Sequence, residues 1–312
     1  MSTPLSQTYA PFRKTLLSVG QLESLNRLRP ARVVRDTLFL WAQILLTWTF
    51  VALWPAWWSV LLAMPLIGTR YYALFIIGHD GLHRRLFTSR RWNDAWNDIF
   101  VMGAIGAITR LNRQNHMTHH MTLGLAHDPD RYKYLADDKS TPASLIFSLT
   151  GLRYVLRALG NVFLPRQRIS EDGYGTRDWL ILLGWQAALI GGLSWAIGWW
   201  AYPLLWLLPV YFFTFTADIV RVFLEHSHAE PDARSDMRSR LISFTSSPVE
   251  RRFFAPLNMN LHAAHHLWPS IPYYNLPAAD GMMRAALADN DSIIWRASYC
   301  GYLLSFARSF RG

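Results

Sequence analysis

Two long stretches of this chain carry no charge at all, and they decide what it can become. Residues 37–69 (TLFLWAQILLTWTFVALWPAWWSVLLAMPLIGT) hold no Asp, Glu, Lys or Arg; Arg70 interrupts, and YYALFIIG runs on to residue 78. Residues 179–217 are likewise uncharged. One helical crossing of a bilayer takes about 20 apolar residues, so each block is long enough for two. Each has a proline near its middle, Pro55 and Pro203, where a tight turn is expected because proline cannot continue a helix ladder. Trp54, Trp57 and Trp58 gather at one turn and Trp199, Trp200 and Tyr202 at the other, and such rings favour the membrane–water boundary. The expected fold is all-α and membrane-embedded, with four transmembrane helices as two hairpins. The spans are expected at about 37–54, 56–78, 179–200 and 203–224. Two buried hairpins in a soluble all-α protein are the alternative, but soluble cores seldom run so far without a charge.

Charge placement orients the hairpins. Arg and Lys crowd the stretches before residue 37, between 79 and 178, and after 225, and neither proline turn has one. The positive-inside bias then puts both turns outside and the rest in the cytoplasm. The chain reads as one membrane-embedded domain over residues 1–312, with a cytoplasmic helical cap formed by 79–178 and 225–312. A bacterial inner membrane is the expected location. The formal net charge of +10 is accounted for as a membrane-surface feature. Nucleic-acid binding is the rival explanation, but the arginines are scattered beside spans rather than gathered in one stripe. The N-terminus has no apolar core of a secretory signal. Cys300, the single cysteine, excludes an internal disulfide or an iron–sulfur site. No glycine-rich nucleotide motif follows a strand-like run. Two apolar segments, 99–108 and 144–152, are too short to span; they lie either in the interface or as buried helix in the cap.

All 11 histidines fall in a few short stretches. HDGLH gives His79 and His83, HMTHH gives His116, His119 and His120, HDPD gives His127, EHSH gives His226 and His228, and HAAHH gives His262, His265 and His266. On a helix, offsets of three and four residues put side chains on one face. Neutral imidazole is the commonest metal ligand. A hydrogen-bonded core histidine explains one such residue, but not three boxes that all fall on one side of the membrane. The first, second and third boxes together offer more imidazoles than the four that one zinc ion needs, which suits two metal ions. Imidazole suits Zn, Cu, Fe or Ni, so spacing alone leaves the metal open.

H-x-x-x-H, H-x-x-H-H and H-x-x-H-H, interleaved with two transmembrane hairpins, resemble the membrane fatty-acid desaturase and hydroxylase superfamily over roughly residues 37–280. RQNHMTHH resembles the second box, with Arg113 three residues ahead of His116; DPD, Asp128 to Asp130, follows it. LNMNLHAAHHLWPSIPYYNLP resembles the third box with its trailing segment, and RVFLEHS resembles the Glu-His of some bacterial members. The resemblance implies a non-haem di-iron centre held by His79, His83, His116, His119, His120, His262, His265 and His266. His226 is the candidate ninth ligand and His228 a further candidate. Metal-binding imidazoles usually donate their second N–H to a carboxylate or carbonyl. Asp80, Asp128, Asp130 and Glu225 are candidates for that part, beside Arg113, His127 and Asn258. A plain hydrogen-bonding role is the simpler reading of Asn258.

The resemblance further implies an O2-dependent oxidoreductase that removes hydrogens from an unactivated C–H bond of a lipid-like substrate, a fatty acyl desaturase. The alternative within the superfamily is a hydroxylase or ketolase of a carotenoid, sphingolipid or small biosynthetic intermediate. With no flavin, nicotinamide or haem motif in the chain, electrons are expected from a separate ferredoxin, rubredoxin, or cytochrome with its reductase. A membrane metal transporter is the remote alternative. Transport ligands belong near the bilayer midplane, whereas these spans hold no histidine in their interiors.

Overall fold

The computed structural model describes residues 13, 15–123, 125–134, 141–153, 155–156, 173–226, 241–287 and 293–308. The described helices in chain order are α1 (Val19–Leu25), α2 (Pro30–Leu53), α3 (Trp57–Leu82), α4 (Arg90–Phe100), α5 (Thr109–Thr122), α6 (Arg131–Tyr134), α7 (Pro142–Leu149), α8 (Thr176–Ala196), α9 (Pro203–His226), α10 (Pro248–Phe254), α11 (His262–Leu267), α12 (Leu276–Ala286) and α13 (Tyr299–Arg308). Four of them, α2, α3, α8 and α9, are long and apolar enough to cross a membrane. They match the four expected spans, with shifted ends. The chain divides into two compact units, one of Leu28–Gln114 and Ser170–Phe215, the other of Met1–Arg27, Asn115–Ile169 and Thr216–Gly312.

The first unit holds α2, α3, α8 and the part of α9 up to Phe215. Helix α2 begins with Pro30, whose missing N–H costs nothing in a first turn, and ends at Trp54 just before Pro55, as a pre-proline residue should. The second turn differs from expectation. Pro203 does not make it; the proline sits in the first turn of α9. The helices part at 197–200, where Gly198 adopts φ +142°, a conformation other residues resist. Pro65 and Pro209 lie inside spans rather than ending them. Pro209 has no N–H to offer the carbonyl four residues back, and Trp48 Nε1 donates to that carbonyl, Leu205 O, at 3.1 Å. The helix also winds with i→i+5 spacing over Pro203–Leu207 and Tyr211–Thr216. At Gly68 the helices α3 and α9 almost touch backbones: an added Cβ would lie 2.4 Å from Pro209 O and 2.5 Å from Phe213 Cβ. Thr214 Oγ1 donates to Gly68 O at 3.1 Å.

The apolar segment 99–108 belongs to the span unit. Val101, Met102, Gly103 and Ala104 are buried within the span unit, and span side chains satisfy their carbonyls. Trp185 Nε1 donates to Ile99 O at 2.7 Å, Trp41 Nε1 to Phe100 O at 2.8 Å, the Tyr71 hydroxyl to Val101 O, and Gln186 Nε2 to Ala104 O at 3.2 Å. Irregular backbone survives at membrane depth only when protein groups take up its hydrogen bonds.

The second unit carries most of the histidines and departs from the all-α expectation. Strands β1 (Ile242–Phe244) and β2 (Ile294–Arg296) pair in parallel, Ser243 opposite Trp295. Three residues cannot show a period, so this pair was invisible to sequence pattern. It has a positional job. Phe244 N–H donates to Asn260 O at 2.8 Å, Asn260 Nδ2 to Phe244 O at 2.6 Å, and Ala263 N–H to Ser243 Oγ at 3.0 Å. These bonds fix the start of α11, whose first-turn N–H groups have no partner within the helix. Apolar residues Leu17, Leu25, Ala263, Leu267, Ile271, Leu276 and Met283 share one core. The N-terminal stretch is tied onto it by Asn275 Nδ2 donating to Leu25 O at 2.7 Å. Helix α7 buries Leu145, Ser148 and Leu149 and exposes Ile146 and Phe147.

Gly68→Ala should destabilise the protein by about 1–3 kcal/mol, because the new methyl meets backbone and not a mobile side-chain end. Gly191→Ala, on an α8 face with no heavy atom within 4 Å of the added Cβ, should be neutral or stabilising by up to about 1 kcal/mol. Thermal unfolding in detergent reads both, and an equal response at the two sites would contradict the close approach.

Candidate metal centre

In the histidine-rich unit, three segments far apart in sequence deliver their imidazoles to one buried place. Helix α5 brings His116, His119 and His120, the end of α9 brings His226, and α11 brings His262, His265 and His266. The ligand-capable atoms of His119, His226 and His266 lie within 4.8 Å of one another, and the same limit holds among His116, His120 and His265. His120 Nε2 is 3.1 Å from His116 Nε2 and 3.1 Å from His265 Nε2. His262 Nε2 is 3.0 Å from His226 Nε2. His119, His120, His226, His262, His265 and His266 are all buried.

Ordinary hydrogen bonding cannot account for this packing. His120 Nε2 touches two other ring nitrogens, yet it can donate one hydrogen or accept one, not both. A cation among the nitrogens would resolve the conflict. Ligands at about 2.1 Å from a metal stand roughly 3.0 Å apart at a right angle and roughly 3.4 Å apart at a tetrahedral angle. The observed 3.0–3.1 Å separations match cis ligands. His266 adds a second sign. It is 1% exposed, and neither ring nitrogen has a hydrogen-bond partner among the described residues. Leaving both unpaired would cost about 1–3 kcal/mol each. Burial, reinforced by His262 and His226, holds His266 well below the usual histidine range, and burial with His226 and Arg221 does the same to His262. Both are therefore neutral, the form that ligates. The residues present fit a metal.

Neighbouring groups set which nitrogen faces inward. His119 Nδ1 is 3.0 Å from Asp128 Oδ1 and 3.2 Å from Oδ2. Asp128 in turn accepts from the Tyr134 hydroxyl and from the Asp130 N–H at 2.9 Å. His119 therefore keeps its hydrogen on Nδ1 and offers Nε2. Asp130 itself pairs with Lys133 at 2.9 Å; burial would raise its carboxyl, but Lys133 and the His119 ring outweigh that and lower it. Glu225 Oε2 stands 3.3 Å from His262 Nδ1.

In the span unit, His79 and His83 close α3 with ring centroids 5.2 Å apart. The last carbonyls of that helix are held from the side. Asn97 Nδ2 donates to Gly78 O at 3.0 Å, Asn93 Nδ2 and Arg113 Nη2 to Gly81 O at 2.9 and 3.0 Å, and Arg113 Nε to Leu82 O at 2.8 Å. Arg113 is anchored on Asp94, whose carboxyl it lowers against the opposing effect of burial. Gly78 and Gly81 permit this, since a Cβ at either would meet Val101 at 2.7 Å or Asn97 at 2.3 Å. Arg113 is thus a brace for the first box.

The remaining candidates scatter. Asp80 is buried beside His79. His127 is exposed. Asn258 takes φ +68° and donates from Nδ2 to Tyr273 O at 3.2 Å, the plain hydrogen bond expected of it. His228 lies outside the described residues. Sequence reading did not find Asp94, Tyr134, Arg221 or Tyr299. None carries a local signal, and Tyr299 meets Glu225 across 74 residues.

Four helices long and apolar enough to cross a membrane and a buried, multi-segment histidine cluster able to hold metal suggest a metal-binding membrane protein. The chain matches the fatty acid desaturase model over residues 55–298 and belongs to that family, within the membrane desaturase and hydroxylase superfamily. It is 24% identical to an sn-1 acyl-lipid omega-3 desaturase (ferredoxin) of Synechocystis sp., across 95% of this chain and 90% of that protein. It is 25% identical to a protein of the same description from Nostoc sp., across 74% of this chain and 70% of that protein. A beta-carotene ketolase of Paracoccus sp. is 25% identical, across 82% of this chain and 96% of that protein.

Because His262 and His266 are neutral when folded, the metal-free native state binds fewer protons than the unfolded chain below the unfolded histidine value of about 6.5. Their contribution to stability is full above that pH and is lost as pH falls through the lowered folded values. Melts of metal-free protein from about pH 8 to about pH 5 should show falling stability below about 6.5; a flat profile would contradict neutral burial.

Proposed function

We propose that this chain is an O2-dependent desaturase acting on a fatty acyl chain, using a pair of iron ions. His116, His119, His120, His226, His262, His265 and His266 hold the metal, and His79 and His83 complete the set. The observation that carries the reading is the close packing of imidazole nitrogens at 3.0–3.1 Å, with His266 lacking a hydrogen-bond partner among the described residues. Bound iron supplies the oxygen chemistry that side chains lack. The protein's part is to keep His262 and His266 neutral, to fix the His119 tautomer through Asp128, and to bury the cluster. Bracing of the first box by Arg113, Asn93 and Asn97 serves the same preorganisation.

The substrate reading draws on the Synechocystis and Nostoc relatives, whose names also specify ferredoxin. Ferredoxin or a similar small carrier is the proposed electron donor, drawn to a chain of net charge +10. The proposed location is a bacterial inner membrane, with both turns outside and the histidines on the cytoplasmic side. A second reading, ketolation or hydroxylation of a carotenoid-like lipid, is favoured by the Paracoccus relative and its 96% coverage.

Expression in a bacterial host, with the extracted lipids weighed by mass spectrometry, separates the readings. A desaturase yields acyl chains lighter by two hydrogens, and a His262→Ala control yields none. Oxygen-bearing products on added carotenoid would move the assignment to the ketolase reading. A new species in both wild type and control would sink the proposal.

A further inference from the structure

We propose that Tyr299 is a positioning residue for the metal centre, acting through Glu225 on His262; this rests on the metal-binding reading above. Tyr299 opens α13 and stands just beyond the segment that matches the family, which ends at residue 298. Its ring is buried, stacked on Phe244 with centroids 3.9 Å apart and planes at 17°. Its hydroxyl donates to Glu225 Oε1 at 2.7 Å. The other carboxyl oxygen, Oε2, accepts from Arg221 Nη1 at 2.9 Å and faces His262 Nδ1 at 3.3 Å. Arg221 is held on its far side by Asp218 at 2.8 Å.

His262 Nδ1 has two competing neighbours. Glu225 Oε2 at 3.3 Å can accept a hydrogen from it; Arg221 Nη1 at 3.5 Å can only donate one. The winner chooses the tautomer. With the hydrogen on Nδ1, the lone pair sits on Nε2, the nitrogen that packs 3.0 Å from His226 Nε2. With Nδ1 bare toward Arg221, Nε2 carries the hydrogen and cannot ligate. Tyr299 decides the contest by gripping Oε1. That fixes the carboxyl plane and keeps Oε2 turned to the ring, where a free carboxyl would swing to meet the guanidinium with both oxygens. His119 is served by the same order of groups, Tyr134 to Asp128 to imidazole. Two tyrosines from unrelated parts of the chain thus end two histidine relays, and the C-terminal helix becomes part of the metal site's support.

The test uses the full-length protein in detergent, loaded anaerobically with Fe2+. Tyr299→Phe keeps the ring and removes only the hydroxyl. Its metal-free form should melt close to wild type. Its iron should pass to a chelator about tenfold faster, with an altered Mössbauer spectrum. Tyr302→Phe, a buried tyrosine on the same helix packed under Arg296, should change neither reading. Wild-type iron release and spectrum in Tyr299→Phe, or equal iron loss in both tyrosine variants, would overturn the proposal. Should Tyr299→Phe not fold, Glu225→Gln decides: faster iron loss supports the relay, and wild-type retention overturns it. Iron absent from wild type would instead remove the functional reading beneath it.

Discussion

Crowding buried imidazoles, with His262 and His266 held neutral, into one place is the constraint on which the rest depends. Each ring nitrogen needs a hydrogen-bond partner or a metal; His120 Nε2 packs against two other ring nitrogens, and His266 has no hydrogen-bond partner among the described residues. The unit around them is built to impose that arrangement. A three-residue strand pair seats α11 through Ser243 and Asn260, an apolar core backs it, and carboxyl groups of Asp128 and Glu225 face Nδ1 of His119 and His262. Rigidity of this kind is stability spent on geometry, which is how sites that must hold a metal in fixed coordination are made.

The span unit answers a different demand, since no backbone polar group can be left bare in hydrocarbon. Its indoles and one phenol carry that burden. Trp48 replaces the donor that Pro209 lacks, and Trp41, Trp185 and Tyr71 cover the carbonyls at the C-terminal end of α4. The same unit shapes the first histidine box by letting α4 press onto Gly78 and Gly81. A single methyl at either glycine would push against the turn that carries His79 and His83.

Much of this was legible in the sequence, and the reasons are physical. Four spans were readable because a charge-free run of that length has few other uses, and their order around the boxes made the family recognisable. The ligand candidates were readable because i, i+3 and i+4 spacing survives folding. Local pattern failed where distant pairing decided. Pro203 resembled a turn, but the helices part at Gly198, with its positive φ. Strands of three residues have no period. Tyr134, Tyr299 and Asp94 matter through partners that no spacing rule connects to them.

X-ray absorption at the iron edge of the purified, iron-loaded protein tests the central claim most directly. The account predicts a first shell dominated by nitrogen at about 2.1 Å, with the outer-shell scattering of imidazole rings and a metal content of two per chain. A shell of oxygen alone, without ring scattering, or iron that washes away without loss of signal from the histidines, would contradict it.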